Sequence, residues 1–137
     1  MGASFHMSLP CLSIKGTENF YVNNIGASLG RKTQNWVDID LFGNQITFIK
    51  ADKFNFNSPN YVFEGKILPA FHFGVIVELE DWEKIHSNLK QQNLDLVTQA
   101  RFLEAKVGEH VSFFIKDPND YMLEFKSFKN SSNIFSK

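Results

Sequence analysis

The sequence predicts an α+β fold made of two βαβββ modules within a single domain. A strand-forming run that contains a Phe-His pair occurs at residues 4–11 and again at residues 70–78. Each run is followed by a stretch with helical spacing of apolar residues and then by three stretches with strand character. The chain has 137 residues, long enough to bury a core without disulfides. These observations indicate a duplication, with module one at about 4–50 and module two at about 70–128.

The first module opens with a period-2 pattern. Phe5 and Met7 alternate with polar neighbours, which is typical of a half-buried strand. Residues 13–25 then carry apolar side chains at roughly helical spacing, and Gly26 provides a helix stop. Three short strands with a turn at 42–44 are predicted to follow, near 27–32, 36–41 and 45–50.

The segment 51–69 connects the two modules. It contains Asn, Asp, Ser, two prolines and a glycine but little periodicity, so we expect a linker or a loop over the site. Its aromatic residues are Phe54, Phe56, Tyr61 and Phe63. A solvated linker has little use for such rings, which favours packing over a pocket.

The second module repeats the pattern of the first. After the strand at 70–78, Trp82, Ile85 and Leu89 fall on one face of an amphipathic helix at 81–90. Further strands are predicted near 94–102, 110–116 and 120–128. Asp117-Pro118-Asn119-Asp120 forms a turn between the last two strands. Residues 129–137 form a polar tail.

Composition excludes several classes of partner. Lys plus Arg number 14 and Asp plus Glu 15, which does not suggest a nucleic-acid-binding surface. No apolar run approaches the ~20 residues that a membrane helix needs. Cys11 is the single cysteine and no secretory signal opens the chain, so we expect a cytoplasmic protein. The 15 phenylalanines suggest a cavity for a flat or apolar small-molecule substrate.

Strand parity predicts a metal site. Because alternate residues of a strand point to opposite faces, His6, His72 and Glu124 all leave the faces that pack under helices. Two imidazoles and a carboxylate leave part of an octahedral shell open, as in non-haem Fe(II) sites. We therefore predict a divalent metal on these residues, Fe(II) first, with Mn(II), Zn(II) or Ni(II) as alternatives. A single strand histidine is otherwise more often structural.

Other residues are candidates for contact with a substrate. Arg101 would hold an anionic substrate group through bidentate hydrogen bonds, or else it is a solvated strand end. Phe48, Phe114 and Trp36 would line the pocket, although packing in the core explains them as well. His110 begins a strand and is a candidate for the rim of the cavity.

Several motifs together resemble the vicinal oxygen chelate superfamily, which includes glyoxalase I, extradiol dioxygenases and drug-sequestering resistance proteins. They are the Phe-His pairs, Trp36-Val37-Asp38-Ile39-Asp40-Leu41-Phe42-Gly43, Gly108-Glu109-His110-Val111-Ser112-Phe113-Phe114, Asp117-Pro118-Asn119 and Leu123-Glu124-Phe125-Lys126. The pattern is most similar to small single-domain proteins described as predicted extradiol-type dioxygenases. The resemblance implies a concave, half-open mixed β-barrel with helices outside, a homodimer, and a metal on His6, His72 and Glu124.

Two departures from the superfamily pattern bear on activity. In a gapless register between the modules, Phe48 corresponds to Glu124, so the fourth metal ligand of glyoxalase I is missing. Where extradiol enzymes place a tyrosine, the strand offers Phe113 and Phe114. His110, Tyr121 or Tyr61 would then take the acid-base role.

The resulting prediction is a metal-dependent enzyme of the vicinal oxygen chelate type. The specific activity expected is a non-haem Fe(II) extradiol-like dioxygenase acting on a small oxygenated or aromatic substrate. A non-catalytic drug-binding or small-molecule-binding protein and a metal-dependent glyoxalase-like lyase or isomerase are the alternatives.

Overall fold

A computed structural model describes residues 2–137. The chain forms two compact units. The first unit runs to Phe56 and includes Asp117–Asn119, and the second contains Asn57–Lys116 and Asp120–Lys137. The predicted α+β class is confirmed, because each unit combines a mixed sheet with a helix.

The first unit contains a four-stranded sheet of order β1-β4-β3-β2. β1 is parallel to β4, and the other neighbours are antiparallel. The elements are β1 (His6–Cys11), α1 (Ile14–Glu18), a π-helical segment (Asn19–Ile25), β2 (Ser28–Lys32), β3 (Trp36–Leu41) and β4 (Asn44–Lys50). All the elements predicted for the first module are therefore present.

The helix of the first unit has clear start and stop signals. The Ser13 hydroxyl accepts a hydrogen bond from the Gly16 N–H, and Gly26 ends the helical segment with φ of 91°. Below the helix, Tyr21 is fully buried and donates a hydrogen bond of 2.8 Å to Asp117 Oδ2. This contact ties the predicted turn at 117–120 to the first unit.

The second unit contains a sheet of order β7-β10-β9-β8 and a separate hairpin. The elements are β5 (Asn60–Phe63), β6 (Lys66–Pro69), β7 (Phe73–Ile76), α2 (Leu79–Gln91), β8 (Thr98–Phe102), β9 (His110–Lys116), β10 (Met122–Phe128) and a 3₁₀ turn (Ser131–Asn133). β7 is parallel to β10, as β1 is to β4. The identical strand order and directions confirm the predicted duplication.

Helix α2 packs as its amphipathic pattern predicts. Trp82, Ile85 and Leu89 are buried. The Trp82 indole Nε1–H also donates to the Phe125 carbonyl oxygen at 2.9 Å, which anchors the helix to β10. None of the helices formed by residues 2–137 combines the length and apolarity needed to cross a bilayer.

The prediction that 51–69 is a linker or loop is wrong for its second half, where β5 and β6 form a hairpin. Glu64 and Gly65 both have positive φ, at 48° and 77°, as a tight two-residue hairpin turn requires. Glu-Gly is a weaker sequence signal than Asn-Gly, and alternation in the flanking strands is poor. The aromatic content was the better guide, because Phe63 packs on Phe102 with ring centroids 5.4 Å apart.

Strand β7 is shorter than predicted and spans Phe73–Ile76 within the expected 70–78. The preceding residues pair elsewhere. Ala70 N–H donates to the Pro59 carbonyl oxygen, and Phe71 N–H donates to the Ser58 hydroxyl. The segment that carries His72 is therefore held by residues 58–59, and the strand begins only after it.

Candidate metal-binding site

His72 and Glu124 lie face to face in the second unit. Glu124 is on β10, between Gly74 of β7 and Phe114 of β9. His72 comes just before β7, and its Nε2 is 3.4 Å from Glu124 Oε1. The side chains are only 22% and 10% exposed. The structure thus brings together two of the three predicted metal ligands.

Gly74 makes room for this pair. A Cβ built on Gly74 would overlap the backbone carbonyl of Glu124, so β7 can approach β10 at this level only with glycine. The Phe-His-Phe-Gly sequence therefore carries both a candidate ligand and the glycine that lets β7 approach β10.

The His72 ring is oriented by its surroundings. Nδ1 lies 2.9 Å from the Pro69 carbonyl oxygen, which accepts only an N–H. The proton on Nδ1 leaves Nε2 to face Glu124. The ring also meets Phe114 edge to face, with centroids 5.3 Å apart. Pro69 ends strand β6, so the hairpin that the sequence did not predict fixes the histidine.

Each member of the pair shifts the titration of the other. The hydrogen bond to Glu124 raises the pKa of His72, whereas burial lowers it. Because the Pro69 carbonyl raises the pKa further, the result lies above the ordinary value. Burial alone would raise the pKa of Glu124, but His72, Lys126 and Ser112 outweigh it and the pKa falls below its ordinary value. Glu124 is therefore a carboxylate at neutral pH.

Lys126 and Arg101 are the two bases that the sequence offers as partners of Glu124, and the structure places Lys126 beside it. Its ammonium nitrogen is 3.8 Å from Glu124 Oε1. It follows Glu124 by two residues on the same strand, so parity places both side chains on one face. Arg101, the other base considered for Glu124, lies instead near Glu109.

The donor atoms fit a divalent metal. With ligand bonds of about 2.1 Å, neighbouring donor atoms lie about 3.0 Å apart in octahedral and about 3.4 Å apart in tetrahedral geometry. The distance of 3.4 Å between His72 Nε2 and Glu124 Oε1 falls at this spacing. Lys126 is the competing cation, because it already contacts the same carboxylate oxygen. Within neither unit do the described residues gather three His, Cys, Asp or Glu side chains around one point.

The third predicted ligand, His6, belongs to the first unit. It begins β1, is exposed, and has Gln45 of β4 as its Cα partner. The residues of β1 that are buried under the helix are Leu9 and Cys11, and their parity along the strand is opposite to that of His6. His6 thus leaves the helix-packed face as predicted, and its role as a ligand stays a prediction.

The strand pairing corrects the register between the modules. Glu124 pairs with Gly74, and Thr47 pairs with Ser8. Gly74 and Ser8 each lie two residues after the histidine of a Phe-His pair. Thr47, and not Phe48, therefore corresponds to Glu124, because the gapless register was one residue out of step.

This correction changes the residue at the fourth ligand position but not the conclusion. The Thr47 hydroxyl donates to Asp38 Oδ1 at 2.7 Å and provides no carboxylate. Phe48 is fully buried on the other face, with its ring centroid 4.9 Å from that of Tyr21. The expectation that Phe48 lines a pocket is therefore wrong, since it packs in the core of the first unit.

Tyr121 and His110, the candidate acid-base residues, are not beside the pair. Tyr121 has the opposite parity to Glu124, and its buried ring lies near Phe71 and Phe73. His110 shares the face of Glu124 but lies four residues from the position opposite it, about 13 Å along β9. Strand parity alone is enough to exclude Tyr121 from the face of Glu124. The distance of His110 from Glu124, in contrast, can be read only from the register of β9 with β10.

Arg101 is also on a different face. It pairs with Val111, whose parity along β9 is opposite to that of Phe114, so Arg101 lies on the face opposite to Glu124. Its guanidinium is 4.0 Å from the Glu109 carboxylate. Phe114 packs against the His72 ring and is almost fully buried, and its contact with a substrate stays a prediction. Trp36 lies in the first unit, where its ring contacts Arg31.

No protein-family model and no curated protein sequence matches the chain. Solved structures do. A glyoxalase/bleomycin resistance protein/dioxygenase from Alicyclobacillus acidocaldarius is 24% identical with a TM-score of 0.78, over 97% of this chain and 96% of that one. The fosfomycin resistance protein FosX from Listeria monocytogenes is 12% identical with a TM-score of 0.69, over 98% and 99%.

A lactoylglutathione lyase from Agrobacterium tumefaciens gives a similar result, 12% identity and a TM-score of 0.69 over 100% of this chain and 98% of that one. These neighbours differ in name and share one architecture. The chain therefore has the fold of these glyoxalase-like proteins, as the sequence motifs indicated.

Proposed function

We propose that the chain is a metal-dependent enzyme of the vicinal oxygen chelate type, with its metal on His72 and Glu124. The observation that carries this proposal is the contact of 3.4 Å between His72 Nε2 and Glu124 Oε1, with the opposite ring nitrogen fixed by Pro69. The fold supports it, because one structural neighbour is named as a lyase. His6 remains the sequence-based candidate for the third ligand.

The residues around the pair prepare it for a cation. The Pro69 carbonyl selects the tautomer of His72 whose free nitrogen faces the carboxylate. The lowered pKa keeps Glu124 ionised. A divalent metal bound there would supply Lewis acidity and a template for two substrate oxygens.

The hairpin limits access of water to this part of the sheet. Leu68 forms a buried cluster with Phe102, Phe114 and Met122, and Phe63 packs against it. Phe114 belongs both to this cluster and to the surroundings of His72. A flat substrate bound at the pair would therefore contact the Phe114 ring, which packing in the core holds in place.

The finer proposal is Fe(II) and an extradiol-like ring cleavage of a small oxygenated or aromatic substrate. It rests on the ligand set of two histidines and one carboxylate, which is typical of non-haem Fe(II) oxygenases. Since Tyr121 and His110 lie elsewhere, Lys126 is the cation placed to attract an anionic substrate oxygen. Mn(II), Zn(II) and Ni(II) are the alternative metals.

The test is turnover by metal-loaded protein. Protein loaded anaerobically with Fe(II) is offered a panel of catechols while O₂ uptake and ring-opened products are measured. The dioxygenase proposal expects both signals in the wild type and in Glu109→Gln, and loss of both in Glu124→Gln. Glu109 is a suitable control because it is also a buried carboxylate of the second unit.

The alternatives give different outcomes. Conversion of oxygenated substrates without O₂ uptake would replace the dioxygenase by a lyase or isomerase and leave the metal site intact. Ligand binding that is unchanged in His72→Ala, with no turnover under any metal, would contradict the enzyme proposal and favour a binding protein.

A further inference from the structure

Arg31 in the first unit is held from two sides. Its Nε lies 3.1 Å from Asp38 Oδ2, and its guanidinium carbon is 5.3 Å from the centroid of the Trp36 ring. The side chain is nevertheless 77% exposed. The guanidinium is thus fixed along one edge and across one face, while the rest of it is open.

Asp38 is a rigid support for this arginine. It is only 4% exposed and accepts hydrogen bonds from three side chains on two neighbouring strands. Besides Arg31, the Thr47 hydroxyl donates to Oδ1 at 2.7 Å and the Gln45 amide donates to Oδ2 at 3.3 Å. The carboxylate cannot rotate without breaking these bonds.

The backbone of β2 is irregular at the same place. The pairing of β2 with β3 shifts register between Leu29 and Lys32. A Cβ built on Gly30 would lie 3.0 Å from Asp38 Cβ and 3.1 Å from its carbonyl oxygen, closer than ordinary contacts. Such irregularities can redirect side chains, and Arg31 lies within this one.

A cavity of about 470 Å³ adjoins the guanidinium, a size in the range of small-molecule sites. Its lining includes Arg31, Asp38, Asp40 and Gln45. Asp40 Oδ1 accepts the Gly43 N–H at 2.7 Å, and no hydrogen bond to Oδ2 is found within residues 2–137. The negative charge of Asp38 offsets the positive charge of Arg31, so the cavity lining keeps one net negative charge, that of Asp40.

We propose that this cavity binds a small zwitterion, with its carboxylate on the two Nη atoms of Arg31 and its ammonium group at Asp40. No contact to those two nitrogens is found among the residues that the structure describes. The outer edge of a guanidinium matches a carboxylate bidentately. A simple anion would be repelled by Asp40, whereas an amino acid is neutral overall.

A purely structural ion pair explains less of this arrangement. An ion pair whose arginine is largely exposed contributes little to stability, and it requires neither a glycine nor a bulge in the neighbouring strand. A binding role accounts for them, because fixing the arginine beforehand lowers the entropic cost of ligand binding. The proposal does not depend on metal binding, because its residues belong to the first unit whereas His72 and Glu124 belong to the second.

The experiment is an NMR titration of the ¹⁵N-labelled chain with glycine, β-alanine and 4-aminobutyrate, and separately with acetate and methylammonium. The indole N–H of Trp36 and the amides around Gly30 report on the site. We expect saturable shifts with at least one amino acid. Acetate and methylammonium each lack one charged contact, so they bind about tenfold more weakly or worse.

Two variants identify the contacts. Arg31→Lys keeps the charge but loses the planar fork, and it weakens amino-acid binding by about tenfold or more. Arg101→Lys, the matched change in the second unit, leaves it unchanged. Asp40→Asn keeps the Oδ1 acceptor for Gly43 and abolishes the preference for amino acids over acetate.

Three results would overturn the proposal. They are the absence of any Trp36 shift with the amino acids in the millimolar range, wild-type affinity in Arg31→Lys, and an unchanged preference in Asp40→Asn. A Trp36 shift that responds to acetate and to amino acids alike would also count against it, because the ammonium contact would then be missing.

Discussion

Replacing Leu68 by alanine tests whether the β5–β6 hairpin is an integral part of the second unit. Leu68 is 3% exposed and packs with Phe102, Phe114 and Met122. The change removes three buried carbon atoms, worth about 2.4 kcal/mol at roughly 0.8 kcal/mol each, and leaves a cavity that adds to the loss. We expect a decrease of about 3 kcal/mol in the free energy of unfolding, measured by urea denaturation of metal-free protein.

The neighbouring residue provides the control. Ile67 is 71% exposed on the other face of the same hairpin. Ile67→Ala should change the free energy of unfolding by less than about 0.5 kcal/mol. Leu68→Ala should also expose the hairpin to proteolysis near Gly65. Equal effects of the two variants, or a loss below about 1 kcal/mol in Leu68→Ala, would refute the packing described.

Three further predictions concern the buried polar contacts. In metal-free protein the His72 imidazole titrates above its ordinary pKa of 6.5 by NMR, and Glu124→Gln removes this shift. The raised pKa of His72 contributes its full stability below about pH 6.5, and the lowered pKa of Glu124 does so above about pH 4.5. The pair therefore contributes most to the free energy of unfolding between these two pH values. The stability advantage of the wild type over Glu124→Gln, measured by urea denaturation, therefore shrinks as the pH rises above this window, and constancy to pH 9 or so would contradict it. Tyr21→Phe removes the 2.8 Å donor to Oδ2 of the buried Asp117 carboxylate, which keeps its bonds from Asn119, and should cost about 1.5–3 kcal/mol. A loss below about 0.5 kcal/mol would show the bond to be unimportant.

The sequence was sufficient for the duplicated architecture. Alternation in the first strand, the helix with Trp82, and the Asp117-Pro118 turn are local signals that the tertiary structure does not override. Parity also placed Glu124 correctly, because period-2 geometry holds wherever a strand forms. His72 lies just before β7, and its contact with the Pro69 carbonyl orients it toward Glu124.

The sequence was insufficient where the outcome depends on which strand a residue pairs with. One residue of register separates Phe48 from Thr47, and it moves the side chain from the core to the opposite face. The positions of His110 and Arg101 depend on pairing of β9 with its neighbours in the same way. The hairpin at 60–69 was missed because its stability comes from packing on Phe102 and Phe114, not from local propensity.

Metal binding to the His72–Glu124 pair tests the central claim most directly. Metal-free protein is titrated anaerobically with Fe(II), and with Zn(II) for calorimetry, at several pH values. We predict about one ion per chain, with an affinity that rises with pH because the metal displaces the proton of His72. Glu124→Gln and His72→Ala should lose this binding, and Glu109→Gln should keep it. Protein that stays empty with Fe(II), Mn(II), Zn(II) and Ni(II), or binding retained in both pair variants, would contradict the account.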